Sequence, residues 1–559
     1  MQPSEVWATH QSSTVVSPRW PVQAVWCILQ SNPARACFPR VYRLSYQHET
    51  GGPVAQSLQA QKWHCIDIEF PCGNIERPFE ISLEAEFAGP GGATLTIPGF
   101  YNGDDTWVVR FAPTAEGEWR YRTAAGAQGL DKKEGALLCV PNTKPWVHGK
   151  LVIDTDHPRH FVYEDGTRYF TIGFELDWLF ALDLETGTLD KTSQIIDEVA
   201  GNGFNHIVMN VYAHDVTWEI QGRGTPHDYS NPARFVFGGT NEEPDHSVLN
   251  IAFFRHLDRV IAYLQEKEII AHLMVYVWNK RVNWPEKGSL ADDRYLDYVV
   301  ARYQAFSNLV WDVSKEALTY DYCGQDYITN RGRRIRARDA YNRLLTVHDD
   351  NYCRKNPGEV DFHSVQTWRS DLYAQMLGLY GELSMPLFNI EHGGYEKGPY
   401  KTFTGDYQDP YACLERNYEC IFAGAYSTYY WQCSSWNIVI GEVSSLDPKV
   451  RPHWEYFKYM QEYFADIPYH ELMPAREGVM SGLLLAKEDH SLYLLFKPTG
   501  SHAFHFTPSP DVKTYDAEWF NPVTGERQAA GTFERIHFRE MECPWGEHMA
   551  LLAIRCYKE

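Results

Sequence analysis

The central part of the chain alternates short apolar runs with amphipathic segments. Between about residues 158 and 465, eight apolar runs have the length of buried strands, and segments such as 253–264 and 295–303 repeat apolar residues with the 3.6-residue period of a helix. The strands are predicted at 169–174, 206–211, 270–277, 309–313, 344–348, 360–365, 387–391 and 427–431. Eight strand and helix units over about 300 residues predict an α/β fold, a (β/α)8 TIM barrel. The connection between the fifth and sixth strands is the shortest of the series.

The two flanking regions show the two-residue period of antiparallel strands. Residues 81–87 alternate strictly, with Ile81, Leu83, Ala85 and Phe87 on one face and polar residues on the other. Further short strands follow at turn signals, which is typical of a small β-sandwich. The predicted organisation is a poorly defined N-terminal extension (1–60), an N-terminal β-sandwich (61–148), the barrel (149–470) and a C-terminal β-sandwich (471–559).

Composition narrows the classes of partner. The chain has 559 residues, with 51 Lys and Arg against 73 Asp and Glu, a net charge of −22. Such an acidic chain repels a phosphate backbone, so no nucleic acid partner is expected. No run of 18 apolar residues occurs, so no membrane partner is expected either. Aromatic residues make up 14% of the chain, and Trp and Tyr suit stacking against sugar rings. A homo-oligomer is possible.

The twelve cysteines contain no CxxC pair, and several lie in apolar segments where a free buried thiol is expected. This favours a cytoplasmic protein; the alternative is secretion, because residues 20–29 faintly resemble the apolar part of a signal peptide. HExxH, GxSxG and GxGxxG are all absent, so we expect no metal site, no cofactor and no serine nucleophile.

Two carboxylates follow barrel strands at the end where TIM barrels carry their chemistry. Glu316 comes just after the fourth strand and Glu391 closes the seventh. These strands lie nearly opposite each other, so both side chains can face one cavity. Two carboxyl groups about 5–5.5 Å apart are what a retaining glycosidase needs, one as nucleophile and one as acid and base. The alternative is that each Glu caps a helix or forms an ion pair.

Other polar and aromatic residues at the predicted strand ends are candidates for binding a sugar through hydroxyl hydrogen bonds or ring stacking. Trp368 is a further candidate for the same stacking platform. The predicted substrate-binding residues are Asp177, Trp178, Asn210, Tyr212, His214, Trp278, Asn279, Lys280, His348, Gln366, His392, Trp431 and Trp436.

Four passages carry a resemblance to a known family: residues 99–121, 160–167, 308–316 and 519–525. In these passages the chain resembles the clan A glycoside hydrolases, and within them the apiosidase-like group that carries an N-terminal β-sandwich of uncharacterised role. The resemblance covers roughly residues 60 to 559. It implies that Glu316 is the acid/base and Glu391 the nucleophile.

The chain departs from this pattern at Lys315. Clan A usually has Asn immediately before the acid/base, where it bonds the sugar 2-hydroxyl. Either another group binds that hydroxyl, or the substrate differs there, or the activity is altered; Lys315 itself is either a surface lysine or a partner for a carboxylated sugar. The sequence therefore predicts a retaining glycosidase that is exo-acting on oligosaccharides or other glycosides. The alternative is a catalytically silent carbohydrate-binding or scaffolding protein on the same fold.

Overall fold

The structure is a computed structural model that describes residues 43–45 (backbone only), 58–214, 232–367, 369, 371–391, 410–430 and 451–558. Most of the predicted extension 1–60 therefore lies outside the described residues. Within the described part of the chain, no helix is long and apolar enough to cross a membrane.

Two facing sheets form the N-terminal sandwich. Their strands run in the orders β1-β3-β7-β6 and β2-β9-β8-β4-β5. The faces meet over buried aromatic residues, and the rings of Phe87 and Phe111 stack with centroids 3.8 Å apart. In β4 the predicted alternation is confirmed, since Leu83, Ala85 and Phe87 are buried. The strands are β1 (Arg43–Ser45), β2 (Leu58–Gln61), β3 (Ile66–Pro71), β4 (Leu83–Ala88), β5 (Thr94–Pro98), β6 (Phe100–Tyr101), β7 (Thr106–Phe111), β8 (Gly117–Ala125) and β9 (Glu134–Val140).

A parallel eight-stranded sheet forms the barrel, and it is preceded by a small antiparallel sheet of β10 (Leu151–Ile153), β11 (Phe161–Tyr163) and β12 (Arg168–Tyr169). The barrel strands are nearly all buried because helices cover them outside and side chains fill them inside. All eight predicted strands are present. They are β13 (Ile172–Glu175), β14 (His206–Asn210), β17 (Ile270–Val277), β18 (Leu309–Lys315), β19 (Leu345–His348), β20 (His363–Gln366), β21 (Leu387–Glu391) and β22 (Tyr426–Tyr429), with a hairpin of β15 (Phe237–Gly239) and β16 (Pro244–Leu249) after β14.

The paired order is β19-β18-β17-β14-β13-β22-β21-β20, which is a barrel interrupted only between its fifth and sixth strands. Side chains close this seam. Thr346 Oγ1 donates to the Phe362 carbonyl at 2.9 Å and lies 3.0 Å from Ser364 Oγ, while the Leu345 amide donates to Asp361 Oδ2 at 2.7 Å. The short connection noted in the sequence is thus a real feature of the barrel.

Amphipathic helices surround the barrel. α2 shows the general rule: its apolar stripe, including Phe253, Leu257 and Val260, is fully buried against the sheet. The helices are α1 (Asp190–Gly201), α2 (Ile251–Glu266), α3 (Leu290–Tyr303), α4 (Gln325–Arg338), α5 (Asp350–Lys355), α6 (Leu372–Glu382), α7 (Pro410–Phe422) and α8 (Glu455–Ala465).

A buried ion cluster joins the N-terminal sandwich to the barrel helices. Arg110, on β7, donates to Asp67 Oδ1 at 2.7 Å and to Asp258 Oδ1 on α2 at 3.1 Å. Arg302, on α3, donates to the same Asp258 at 2.6 Å. Because each charge has a partner of opposite sign, the cluster survives burial, and removing one member would leave the others uncompensated.

The C-terminal sandwich packs a six-stranded antiparallel sheet, in the order β23-β24-β25-β30-β27-β28, against the pair β26-β29. It contacts the barrel through stacked rings, such as Tyr463 on α8 and Phe520, whose centroids are 4.2 Å apart. The strands are β23 (Leu472–Ala475), β24 (Leu483–Lys487), β25 (Leu492–Lys497), β26 (Ala503–Phe506), β27 (Thr514–Phe520), β28 (Arg527–Glu534), β29 (Arg539–Glu542) and β30 (Ala550–Tyr557).

Candidate active site

A cavity of about 450 Å³ opens at the carboxyl ends of the barrel strands, where the sequence predicts the chemistry. Glu316 and Glu391 both line it, so the two predicted carboxylates share one cavity. Each is nearly buried, at 5% and 4% exposure. The cavity is lined by Asn279, Lys280, Lys315, Glu316, Leu318, Thr319, Tyr320, Asp349, Asp350, Asn351, Gln366, Glu391 and Tyr430.

Glu391 is held in its ionised form. Its Oε2 lies 2.9 Å from the Lys315 amine and 3.4 Å from His348 Nε2. Burial alone would raise the pKa of this carboxyl, but the charge of Lys315 and the hydrogen bond and charge of His348 outweigh burial and lower the pKa to about 2. The surroundings of Glu391 therefore favour its carboxylate form.

The surroundings of Glu316 have the opposite effect and raise its pKa. Burial raises its pKa, and the neighbouring charge of Glu391 raises it further, against smaller opposing effects of Lys315 and Gln366. Gln366 Nε2 donates to Glu316 Oε1 at 2.7 Å, while Oε2 has no hydrogen-bond partner among the described residues. The backbone of Glu316 has φ 58°, a left-handed conformation that costs energy for a non-glycine residue and is found most often at functional sites. Burial and the charge of Glu391 thus both favour the protonated form of Glu316.

Lys315 is buried, at 2% exposure, so it is not a surface lysine. Its amine lies 2.5 Å from Glu175 Oε1, 3.3 Å from Asp177 Oδ2 and 2.9 Å from Glu391 Oε2. Two of these contacts, to Glu175 and Asp177, are hydrogen bonds donated by the amine, and the third is an ion pair with Glu391. The side chain lines the cavity and ties together the ends of strands one, four and seven.

Burial favours the protonated forms of two acidic members of this cluster. It raises the pKa of Glu175 well above its usual range, and it also raises the pKa of Glu316. Lys280 is a second basic residue of the cluster, and its amine lies 3.2 Å from Asp177 Oδ2. The members of the cluster are Glu175, Asp177, Glu316, Glu391, Lys280 and Lys315.

A second set of buried polar groups positions the loop that carries Glu316. Asp312 Oδ1, on β18, accepts hydrogen bonds from the amides of Ser314 and His348 at 3.1 and 3.0 Å. Its other oxygen lies 3.2 Å from His272 Nε2, and His272 in turn lies 3.0 Å from His206. Asp312 therefore fixes the ends of β18 and β19 relative to each other, just below Glu316 and His348.

The structure places the predicted substrate-binding residues at two depths. Asn279, Lys280 and Gln366 line the cavity. The other described candidates are not part of the lining. His348 is buried and contacts Glu391, and Asp177 is buried and contacts Lys280 and Lys315. Asn210 is buried, and both atoms of its side-chain amide lack a hydrogen-bond partner among the described residues. The remaining candidates are Trp178, Tyr212, His214 and Trp278.

Tyr212 and Trp178 belong to the aromatic core. Tyr212 is completely buried, with its ring 5.5 Å from those of Phe180 and Phe235. Trp178 is 1% exposed, with its ring 6.0 Å from that of Phe180. Neither side chain is part of the cavity lining. His392, Trp431 and Trp436, and also Trp368, lie outside the described residues.

Several residues of the site are absent from the predicted set. Glu175 is the acidic last residue of an otherwise apolar strand, and this pattern marks it as a residue of the barrel rim. Tyr320 and Asp349 follow strands four and five at the same rim, and Tyr430 follows strand eight. Among the described residues, no group of three or more His, Cys, Asp or Glu side chains is arranged to hold a metal ion.

Comparison with known proteins agrees with this architecture. Residues 155–473, more than half of the chain, match the family described as apiosidase-like, catalytic domain, and residues 59–126 match a domain of unknown function, DUF5060. No match is found among curated proteins.

Solved structures share the fold. A protein of Bacteroides vulgatus is 20% identical, covers 90% of this chain and all of its own, and superposes with a TM-score of 0.73. A glycoside hydrolase of family 5 from the same organism is 14% identical, with 74% of this chain and 94% of that one covered and a TM-score of 0.56. At these identities the likeness establishes the fold.

Proposed function

Because the chain belongs to the apiosidase-like family and is a glycoside hydrolase, we propose that it cleaves its substrate with retention of anomeric configuration, with Glu391 as nucleophile and Glu316 as acid and base. The observation that carries this proposal is the opposite shift of the two pKa values in one cavity: that of Glu391 is lowered to about 2, and that of Glu316 is raised. These shifts favour the charged form of Glu391 and the protonated form of Glu316, which is the division of roles that a double displacement needs.

The first step joins a carboxylate oxygen of Glu391 to the anomeric carbon as the glycosidic C–O bond breaks. The Glu316 proton passes to the leaving oxygen, and Glu316 becomes a carboxylate. In the second step Glu316 takes a proton from water, the water oxygen attacks the anomeric carbon, and the bond to Glu391 breaks. Lys315 keeps Glu391 ionised and in place for both steps, since its amine contacts that side chain at 2.9 Å.

A panel of 4-nitrophenyl glycosides of both anomers tests this proposal. The anomer first formed from a cleaved substrate, followed by proton NMR, is expected to match the substrate; inversion would refute the assignment of Glu391 as nucleophile. Glu391→Gln is expected to lower kcat by about 1,000-fold or more. Glu462→Gln is the matched control, because Glu462 is exposed on α8, far along the chain from the cavity lining.

Glu316→Gln gives a separate test of the acid role. Without the acid, a substrate whose leaving group needs protonation is expected to lose far more activity than a 4-nitrophenyl glycoside, whose leaving group departs unprotonated. Equal losses on both substrates would contradict the role proposed for Glu316.

We further propose a cytoplasmic enzyme that removes units from the ends of oligosaccharides and has no nucleic acid partner. All nine described cysteines carry free thiols, as is usual in a reducing compartment, where an enzyme meets imported fragments rather than polymers. Time courses on unlabelled oligosaccharides test the exo mode: one small product from the first minutes supports it, and a ladder of intermediate lengths contradicts it.

The alternative of a catalytically silent carbohydrate-binding or scaffolding protein depended on Lys315. The structure gives this residue a use that is compatible with turnover, since its charge lowers the pKa of Glu391. No other described feature favours a silent protein.

A further inference from the structure

A second depression, of about 780 Å³, lies on the same rim of the barrel as the catalytic cavity. Two consecutive loops contribute to both. The loop after β17 gives Lys280 to the catalytic cavity and Trp278 to the second depression, and the loop after β18 gives Tyr320 to the cavity and Tyr322 to the depression. The two are therefore neighbours. We call the second one the distal groove, lined by Asn241, Glu242, Trp278, Arg281, Lys287 and Tyr322.

Aromatic rings connect the cavity to the distal groove. Tyr320 and Tyr322 are 43% and 38% exposed, which is unusual for large aromatic side chains, and their ring centroids are 6.0 Å apart. The ring of Tyr322 is within 22° of parallel to that of Trp278, at a centroid distance of 6.3 Å. Trp278 is half-buried and also lies nearly parallel to Tyr276, at a centroid distance of 6.1 Å, so it supports the ring of Tyr322 from the core side. The exposed rings of Tyr320 and Tyr322 offer stacking surfaces to the apolar faces of sugars.

The groove is held rigid by contacts within it, and its polar groups are balanced. The Lys287 amine lies 5.2 Å from the Trp278 ring centroid and donates to the Tyr322 carbonyl, so it fastens the two aromatic loops together. Asn241, in the turn between β15 and β16, donates to the Arg281 carbonyl at 3.1 Å. Two positive side chains, Arg281 and Lys287, accompany two negative ones, Glu242 and Glu286, so the groove suits an uncharged ligand rich in hydroxyl groups.

The position of Glu316 indicates which side of the substrate the distal groove faces. This step rests on the proposed function. A general acid lies beside the oxygen of the leaving group. Tyr320 and Tyr322 follow Glu316 by four and six residues on the same loop, whereas the nucleophile Glu391 comes from strand seven. We propose that the distal groove binds the leaving-group side of the substrate, as a neutral oligosaccharide whose sugar units stack on Tyr320 and Tyr322.

The test compares two substrates that end in the same sugar: the 4-nitrophenyl monoglycoside that the enzyme cleaves, and unlabelled oligosaccharides of two to four units. Tyr322→Ala is expected to lower kcat/KM on the longer oligosaccharides by about fivefold to tenfold, the effect of losing one stacking contact. Hydrolysis of the monoglycoside is expected to change less than twofold. Tyr322→Phe keeps the ring and is expected to behave as the wild type.

Tyr557→Ala is the matched control, because Tyr557 is an equally exposed tyrosine, at 45%, on β30 of the C-terminal sandwich. An unchanged ratio of oligosaccharide to monoglycoside activity in Tyr322→Ala overturns the groove and leaves the proposed function standing. If no glycoside is cleaved at all, the proposed function fails, and the groove is then judged by binding of tetrasaccharides of glucose, mannose and xylose to wild type and Tyr322→Ala. Weaker binding to the variant supports the groove, and equal or absent binding overturns it.

Discussion

Replacing Lys315 by Met removes one charge from beside Glu391, the proposed nucleophile, while keeping most of the side-chain volume. The amine lies 2.9 Å from Glu391 Oε2, and at an effective dielectric constant of about 20 this pair is worth about 6 kcal/mol. That energy corresponds to about 4 pH units in the pKa of Glu391. Relaxation of water and of His348 reduces it, so we expect a rise of about 1 to 3, the usual effect of one opposite charge.

The sign follows from the proposed roles of the two carboxyl groups. In these roles activity needs Glu391 ionised, and it is lost as the pH falls through the pKa of Glu391, which is about 2 in the wild type. It also needs Glu316 protonated, and it is lost as the pH rises through the raised pKa of that group. Since Lys315 lowers both pKa values, its loss moves both limbs of the pH profile upward. The acid limb then enters the measurable range, at about pH 3 to 5.

The assay is kcat/KM on a 4-nitrophenyl glycoside from pH 3 to 9, which reports the free enzyme. Lys280→Met is the matched control, because Lys280 pairs with Asp177 at 3.2 Å and is not a main determinant of the pKa of Glu391. Lys315→Arg keeps the charge and is expected to leave the acid limb low. An active Lys315→Met enzyme with an unmoved acid limb would refute the reasoning.

Three further predictions concern Glu316, the sandwich contact and buried histidine. Gln366→Met removes a hydrogen bond that lowers the pKa of Glu316, so the basic limb of the kcat/KM profile is expected to move upward; a downward move would contradict the assignment. Arg110→Met leaves Asp67 and Asp258 without that partner and is expected to cost about 3–5 kcal/mol in urea unfolding, whereas a loss below 1 kcal/mol would show that the cluster contributes little. Burial lowers the pKa of His160 to about 3 in the folded protein, whereas in the unfolded chain it has the usual value of about 6.5. The unfolded chain therefore binds this proton first as the pH falls, and the free energy of unfolding decreases by about 2 kcal/mol between pH 7 and 5. Urea titrations of His160→Gln should lack that share of the decrease.

The barrel could be predicted because its strands are buried on both faces and its helices on one, and both conditions leave periodic signals in the sequence. The shared cavity of Glu316 and Glu391 followed from the rule that polar residues after barrel strands meet at one rim. The same rule also selected Tyr212 and Trp178 as candidates for substrate binding, but both side chains are buried in the aromatic core. A residue just past a strand end can turn inward as well as toward the cavity.

Other features had no signal along the chain. Nothing near Lys315 in the sequence indicates that its amine meets carboxylates from strands one and seven, since those residues are 140 and 76 positions away. The hairpin of β15 and β16 is short and largely exposed, so it has no apolar pattern, and the distal groove that it borders could not be anticipated.

The three acidic side chains around Lys315 couple position 315 to positions 175, 177 and 391. An asparagine at 315 would leave Glu175 and Asp177 packed beside Glu391 with much less positive charge to offset them. Homologous sequences that have asparagine at 315 are expected to lack the acid at 175.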